Sequence, residues 1–293
     1  MRNFILGTDW WDDCDDAIAL RLLCRHVKEN KIGLSGVAIN AAMEYSVASM
    51  RGFLRAEGLG DIPIGLDRDA RDFGGETLYQ KRLRDDYAPE VTNADASDAC
   101  SLYRSILASA TEKLEIIEIG FLQVIANVLE SPPDGISEKS GIELFTEKVS
   151  RVWVMAGRWD IDGGRENNFA RNQRSRVGAD KFLRLCPVPV TFLGFEVGFD
   201  VISGSSLPTD DHLYRVLLDH GSERGRRSWD PMLTLLALIG DADAAGYDTV
   251  RGIASVDPET GLNSFTESPL GNHTYVKRRH PPEHYAAMID SLL

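Results

Sequence analysis

Short apolar runs rich in Val, Ile, Leu and Phe punctuate the chain and predict strands at Phe4–Thr8, Leu34–Ile39, Ile62–Leu66, Leu114–Ile119, Val152–Ala156 and Val188–Leu193. Strands this uniformly apolar are covered on both faces, the habit of parallel sheets. Between them apolar residues recur at helical spacing, predicting helices over Asp15–Asn30, Met43–Glu57, Ser97–Lys113, Gln123–Leu129 and Asn172–Leu185. Strand and helix alternate, so the expected fold is α/β: an open, doubly wound, mostly parallel sheet flanked by helices, as one domain over residues 1–293. The final third adds a helix at Asp230–Ile239, a strand pair around Thr249–Val256 and Asn272–Lys277, and a closing helix from Pro282. The polar, turn-rich stretches Arg68–Asn93, Ser131–Ser140 and Leu207–Asp211 predict surface insertions. Ligands of such sheets bind beyond the carboxyl ends of strands, so chemistry is sought in the residues just after each strand.

Composition narrows the partners. Lys and Arg total 32 against 45 Asp and Glu, a net charge of −13. A surface of that sign repels phosphate backbones and anionic lipids, so neither nucleic acid nor a membrane is expected. Cys14, Cys24, Cys100 and Cys186 form no C-x-x-C pair and no metal-finger spacing, and they read as buried thiols in a reducing compartment, by default the cytoplasm. The apolar run within Met1–Gly7 is too short for a signal-peptide core, and no stretch approaches the roughly 18 apolar residues of a spanning helix.

The first strand runs into Gly7-Thr8-Asp9-Trp10-Trp11-Asp12-Asp13-Cys14-Asp15-Asp16-Ala17-Ile18-Ala19-Leu20. One or two acids suit a helix N-terminus, where free N–H groups and the dipole stabilise them by about 0.3–2 kcal/mol. Asp9, Asp12, Asp13, Asp15 and Asp16 together exceed that need, and a divalent cation is the usual means of holding several carboxylates in one place. Hard oxygen donors favour Ca²⁺, with Mg²⁺ as the alternative, over zinc.

This segment resembles the calcium-binding signature of the nucleoside hydrolases, ribonucleoside N-glycosidases of inosine–uridine-preferring and purine-specific type, whose first strand ends in an Asp-rich run entering a helix that begins Asp-Asp-Ala-x-Ala-Leu. Asp15 to Leu20 match it directly. Trp10-Trp11 replace the family's Pro-Gly, and Asp9, Asp13, Asp15 and Asp16 fit a D-x-x-x-D-x-D-D branch. The resemblance continues in order: Asn40 ends the second strand, Gly120 to Ala126 resemble Gly-Pro-Leu-Thr-Asn-x-Ala with Gln123 at the Thr, and Val154-Met155-Ala156-Gly157 resembles Met-Gly-Gly. Glu166-Asn167-Asn168 matches Glu-x-Asn, Phe195 to Gly198 stand at Leu-Asp-x-Thr, and Trp229-Asp230-Pro231 matches an Asp-Pro at a helix start.

The resemblance implies a calcium-dependent hydrolase that cleaves a ribonucleoside to base and ribose, assembled as a homodimer or homotetramer. By it, Asp9, Asp16, Asp230 and the Gln123 carbonyl hold the ion, and Asp9 is also the general base on water. Asp13 and Asp15 accept from ribose hydroxyls or brace the ligands, Asn40, Glu166 and Asn168 complete the sugar pocket, and Asp160 meets the 5′-hydroxyl. Trp229 stands where the inosine–uridine branch has a proton-donating His, as in the purine-specific branch, which implies a purine stacked on Trp229 with Trp10, Trp11 or Trp159 on its other face. His212 is a candidate acid. Two rival readings remain: a non-catalytic, metal-dependent nucleoside or sugar binder, and a Mg²⁺-dependent phosphoryl-transfer enzyme, for which the chain shows no convincing late Lys partner.

Overall fold

The computed structural model describes residues 1–293. One eleven-stranded sheet runs through it in the order Ser97–Asp98, Ile64–Leu66, Gly33–Ile39, Asn3–Thr8, Leu114–Glu118, Val149–Met155, Val190–Leu193, His273–Arg278, Tyr247–Val256, Leu262–Glu267 and Gly164–Arg165. Pairings are parallel from Ser97–Asp98 across to His273–Arg278 and antiparallel beyond it. From Asn3–Thr8 the chain first builds outward through Gly33–Ile39 and Ile64–Leu66, then returns to add Leu114–Glu118 on the opposite side. Asn3–Thr8 is thus the switch strand, beside which a crevice opens at the carboxyl ends.

The apolar strands earn both faces. Phe4, Leu6, Val37, Ile39, Ile117 and Trp153 pack into the larger core, with the helices Asp15–Lys28 and Trp229–Ile239. The alternate residues Ile5, Ala38, Ile116, Val152 and Val154 enter the second core, with Ala99–Ser109, Gln123–Glu130 and Gln173–Leu185. Side chains two apart share a face, so an unbroken apolar run is what two covered faces require.

The expected elements are present with shifted ends, and several more appear, the helix His212–His220 among them. Gln80–Tyr87 is a helix inside the stretch read as an insertion, held by buried Gln80 and Leu83 among charged neighbours. Gly141–Lys148 is a helix started by a Ser140–Glu143 capping box. Leu262–Glu267 joins the expected strand pair at the antiparallel end. No helix is long and apolar enough to cross a membrane.

His273, on the strand beside Val190–Leu193, is buried, and burial lowers its pKa to about 4. Its Nδ1 accepts from the Ala254 N–H at 2.9 Å, while Nε2 has no partner. The fold therefore holds the neutral ring: the stability this confers is complete above pH ~6.5 and is lost as pH falls from there towards 4. His273→Gln, which keeps an acceptor but cannot gain the charge, is expected to lose about 2–3 kcal/mol less stability than wild type between pH 7 and 4 in urea titrations. Equal losses in the two proteins would refute the assignment.

Candidate active site

A cavity of about 310 Å³ opens at the carboxyl end of the switch strand. Asp9 reaches it from the strand's last turn outward, Trp11, Asp12 and Asp13 from the connecting loop, and Asp15 and Asp16 from the first turn of the helix. Asp230 arrives from the start of Trp229–Ile239, a helix packed along Asp15–Lys28, and its N–H donates to Asp15 Oδ2 at 3.1 Å. Trp10 takes a left-handed backbone, φ 44°, which costs about 1–2 kcal/mol in a non-glycine residue. Its indole compensates by lying in the larger core between Phe53 and Tyr79, with Nε1 donating to Ser49 Oγ at 2.8 Å. That kink turns the chain sharply after Asp9 so that the following acids come back to the strand end.

Asp15, Asp16 and Asp230 are buried and their carboxylate oxygens lie within 4.8 Å of one another. Burial, then the charge of Asp13 on Asp15 and of Asp15 on Asp230, pushes both well above the usual carboxylate range, and Asp9 likewise by burial and then Asp16. Burial raises Asp16 to about 7 against the opposing hydrogen bond from the Thr8 hydroxyl. None of the four forms an ion pair with a Lys, Arg or His side chain. Arg226, the nearest guanidinium, is committed to Asp13, donating from Nε at 2.7 Å and from Nη2. Oxygens sharing one Ca²⁺ at about 2.3–2.6 Å lie at most about 5 Å apart, so an all-oxygen trio of this spacing, with no ion pair of its own, fits a hard divalent cation.

Beyond the acids the wall is formed by Ile119, Met155, the Glu166-Asn167-Asn168 segment, Arg171, Phe195, Arg226 and Trp229. Glu166 caps the short helix Asn167–Ala170: its carboxylate accepts from the N–H groups of Asn168 (2.7 Å), Gly157 (2.9 Å) and Phe169 (3.3 Å). Asn168 gives Nδ2 to the Met155 carbonyl at 2.8 Å, which leaves Oδ1 for a ligand. Trp229 lies against Phe195, ring centroids 5.5 Å apart, and spends its Nε1–H on the Phe195 carbonyl. Trp11 also faces the cavity, with Arg171 over its ring at 4.4 Å.

Asp9, Asp13, Asp15, Asp16, Glu166, Asn168, Trp229 and Asp230 thus meet in one place. Asn40, Gln123 and Asp160 do not reach its wall. Both ends of the Asn40 amide are occupied, Nδ2 by Glu118 at 2.8 Å and Oδ1 by the Phe121 N–H at 2.9 Å. Glu118 is itself buried, its pKa raised to about 8 by burial. Gln123 turns its Nε2 to the Asn40 carbonyl and Asp67. Asp160 pairs with Arg158 at 2.8 Å in a separate depression near Trp159 and Tyr275. Trp10 and Trp159 stand apart from the cavity, and His212 is bound to Glu57 at 3.0 Å in an ion network with Arg21. Sequence reasoning missed Arg226 and Arg171. The only sequence signal for Arg226 was its place three residues before Trp229.

The sequence matches no protein-family model and no curated protein. Solved structures match over nearly the whole length. An inosine–uridine-preferring nucleoside hydrolase from Bacillus anthracis superimposes with TM-score 0.69 at 17% identity, covering 100% of this chain and 99% of that one. A purine-preferring ribonucleoside hydrolase from Gardnerella vaginalis gives 0.73 at 16%, covering 99% of each chain. The type III effector protein XopQ, in complex with adenosine diphosphate ribose, gives 0.67 at 15%, covering 99% of this chain and 92% of that one. The fold is that of the nucleoside hydrolases, reached by a distant sequence.

Proposed function

We propose that this protein is a divergent nucleoside hydrolase that cleaves the N-glycosidic bond of a ribonucleoside, leaning to purines, with the help of Ca²⁺. The observation that carries the reading is the trio Asp15, Asp16 and Asp230, gathered from two distant parts of the chain into one cavity with no ion pair to any of the three. These three, with Asp9 alongside, would hold the ion. When bound, calcium supplies a lowered pKa for a water molecule and a grip on two vicinal hydroxyls.

The chain's own residues do the rest. Asp9 takes the water proton as the oxygen bonds to the anomeric carbon, a step that contributes typically 10²–10⁴-fold. Asn168 Oδ1 accepts from a sugar hydroxyl, and Glu166 keeps Asn168 in place through the helix it caps. Asp13, held by Arg226, braces the acid loop. The flat wall of Phe195 and Trp229 receives a base. Met155 and Ile119 give the cavity an apolar strip that limits entry of bulk water.

A panel of ribonucleosides incubated with calcium-loaded protein is expected to release free reducing ribose, fastest from a purine member, and excess chelator is expected to stop it. Binding of nucleosides without release would instead favour a second reading, a metal-dependent N-riboside binder, which the likeness to the ADP-ribose-bound effector supports. Phosphoryl transfer has no support in the cavity, whose wall contains no lysine.

A further inference from the structure

A base leaving a ribonucleoside must either be protonated or be stabilised as an anion. No histidine, lysine, tyrosine or cysteine faces the cavity. The Trp229 indole N–H is spent on Phe195, and both oxygens of Glu166 are taken by backbone N–H groups. Trp10 lies in the core and Trp159 elsewhere; Trp11 and Trp229 line the cavity, each with a guanidinium over its ring, Arg171 at 4.4 Å and Arg226 at 5.7 Å, so a sandwich of two bare indoles is not formed.

Arg226 remains. It belongs to a two-residue strand, Arg226–Arg227, paired with Ile202–Ser203, so its backbone is fixed beside the cavity mouth. Nε and Nη2 form a bidentate pair with Asp13, which itself accepts the Cys14 N–H, so the guanidinium plane is locked. Its Nη1 has no hydrogen-bond partner, and the guanidinium carbon lies over the Trp229 ring, 5.7 Å from its centre, with both residues on the cavity wall.

We infer that Arg226 is the group that stabilises the departing base, by donating from Nη1 to a base that leaves as an anion, and that the substrates are therefore nucleosides of oxo-bases, 6-oxopurines foremost. The inference rests on the hydrolase reading above. In the step, the C1′–N bond breaks with its electron pair on the base, water oxygen bonds to C1′, and the water proton passes to the Asp9 carboxylate. The base anion, held by Arg226, then takes one proton from solvent on release, and Asp9 returns its proton to solvent. An arginine suits this role because it stays charged and its fork is already oriented. An oxo-base spreads the charge onto a carbonyl oxygen that can accept from Nη1; a 6-amino group at that place would present a donor to a donor.

The test is a leaving-group comparison in the calcium-loaded protein. Inosine, adenosine and 4-nitrophenyl β-D-ribofuranoside are assayed with wild type, Arg226→Lys and Arg226→Met, with calcium affinity measured by calorimetry for each. Nitrophenolate departs as a stable anion and needs no help. Loss of one preorganised donor costs about 10²–10³-fold, so both variants are expected to lose at least about 100-fold more in kcat/KM on inosine than on the nitrophenyl riboside, and calcium affinity is expected to hold in Arg226→Lys. Lysine keeps a charge for Asp13, which separates loss of the donor from loss of the brace. Wild type is expected to prefer inosine to adenosine by at least about tenfold. Equal losses on inosine and the nitrophenyl riboside, no loss on inosine, or a preference for adenosine would overturn the inference. A wild type that cleaves none of the three would overturn the hydrolase reading itself, and with it this one.

Discussion

Asp230→Asn is expected to lower kcat/KM for ribonucleoside hydrolysis by about 10³-fold or more and to weaken calcium binding at least tenfold, while making the chelator-treated protein more stable. The two signs come from one cause. Asp230 is buried against Asp15 and Asp16, and burial followed by those two charges pushes its pKa far up. A neutral amide of the same shape removes the repulsion, and relief of a buried like-charge contact is worth about 1–3 kcal/mol. The same change deletes a charged ligand, so the affinity that depends on ligand charge falls and the activation that depends on the ion falls with it. Calcium calorimetry, steady-state kinetics and urea denaturation in chelator would be read side by side. Unaltered calcium affinity in Asp230→Asn would remove the basis of the proposed function.

Calcium added to chelator-stripped protein is expected to raise Tm by about 5–10 °C, with a larger rise at pH 8 than at pH 5. Ligand at about a hundred times its Kd stabilises by about 2.7 kcal/mol, and one kcal/mol moves Tm by about 2–4 °C in a chain approaching this size. The pH dependence follows from the carboxyls. Asp16 is raised to about 7, and Asp9, Asp15 and Asp230 are also raised. Groups whose pKa is higher in the fold than in the unfolded chain stabilise fully below the unfolded value near 3.9, and that stability is lost as pH rises through the folded value. Without metal, these acids therefore weaken the fold progressively from about pH 4 upward, through 7. Bound calcium replaces the missing counter-charge, so its benefit is greatest where the carboxylates are ionised. A Tm shift that is the same at both pH values, or none, would show that the acids are not sharing an ion.

Much of this was legible in the chain because it depends on near neighbours. The parallel strands announced themselves as unbroken apolar runs, since Ile5 and Phe4 had to serve opposite cores. The acid cluster was legible because its members are adjacent in sequence and too many for one helix end. The helix Gln80–Tyr87 was hidden because only Gln80 and Leu83 anchor it, too few to make a periodic stripe. Adjacent tryptophans show the limit: Trp10 enters the core and Trp11 faces the cavity, a division set by the left-handed turn at Trp10 that composition does not reveal. Asn40, Gln123 and Asp160 were assigned by position in a motif, which sets where a residue falls along the chain and not what its side chain bonds to; for Gln123 the assignment concerns the backbone carbonyl, which its side-chain bonds leave open.

The order of residues by itself determined the sheet's parallel character, the helices that cross it and the acid-rich strand end, because periodicity and local charge density are properties of a few consecutive side chains. Only the tertiary structure decided which acids converge and what faces them. Asp230 meets Asp15 across 215 positions and Arg226 meets Asp13 across 213, contacts produced by packing the helix Trp229–Ile239 along Asp15–Lys28. No pattern within either segment encodes that distance, since the energy that closes it is apolar burial along the helices and not attraction between the polar groups they deliver.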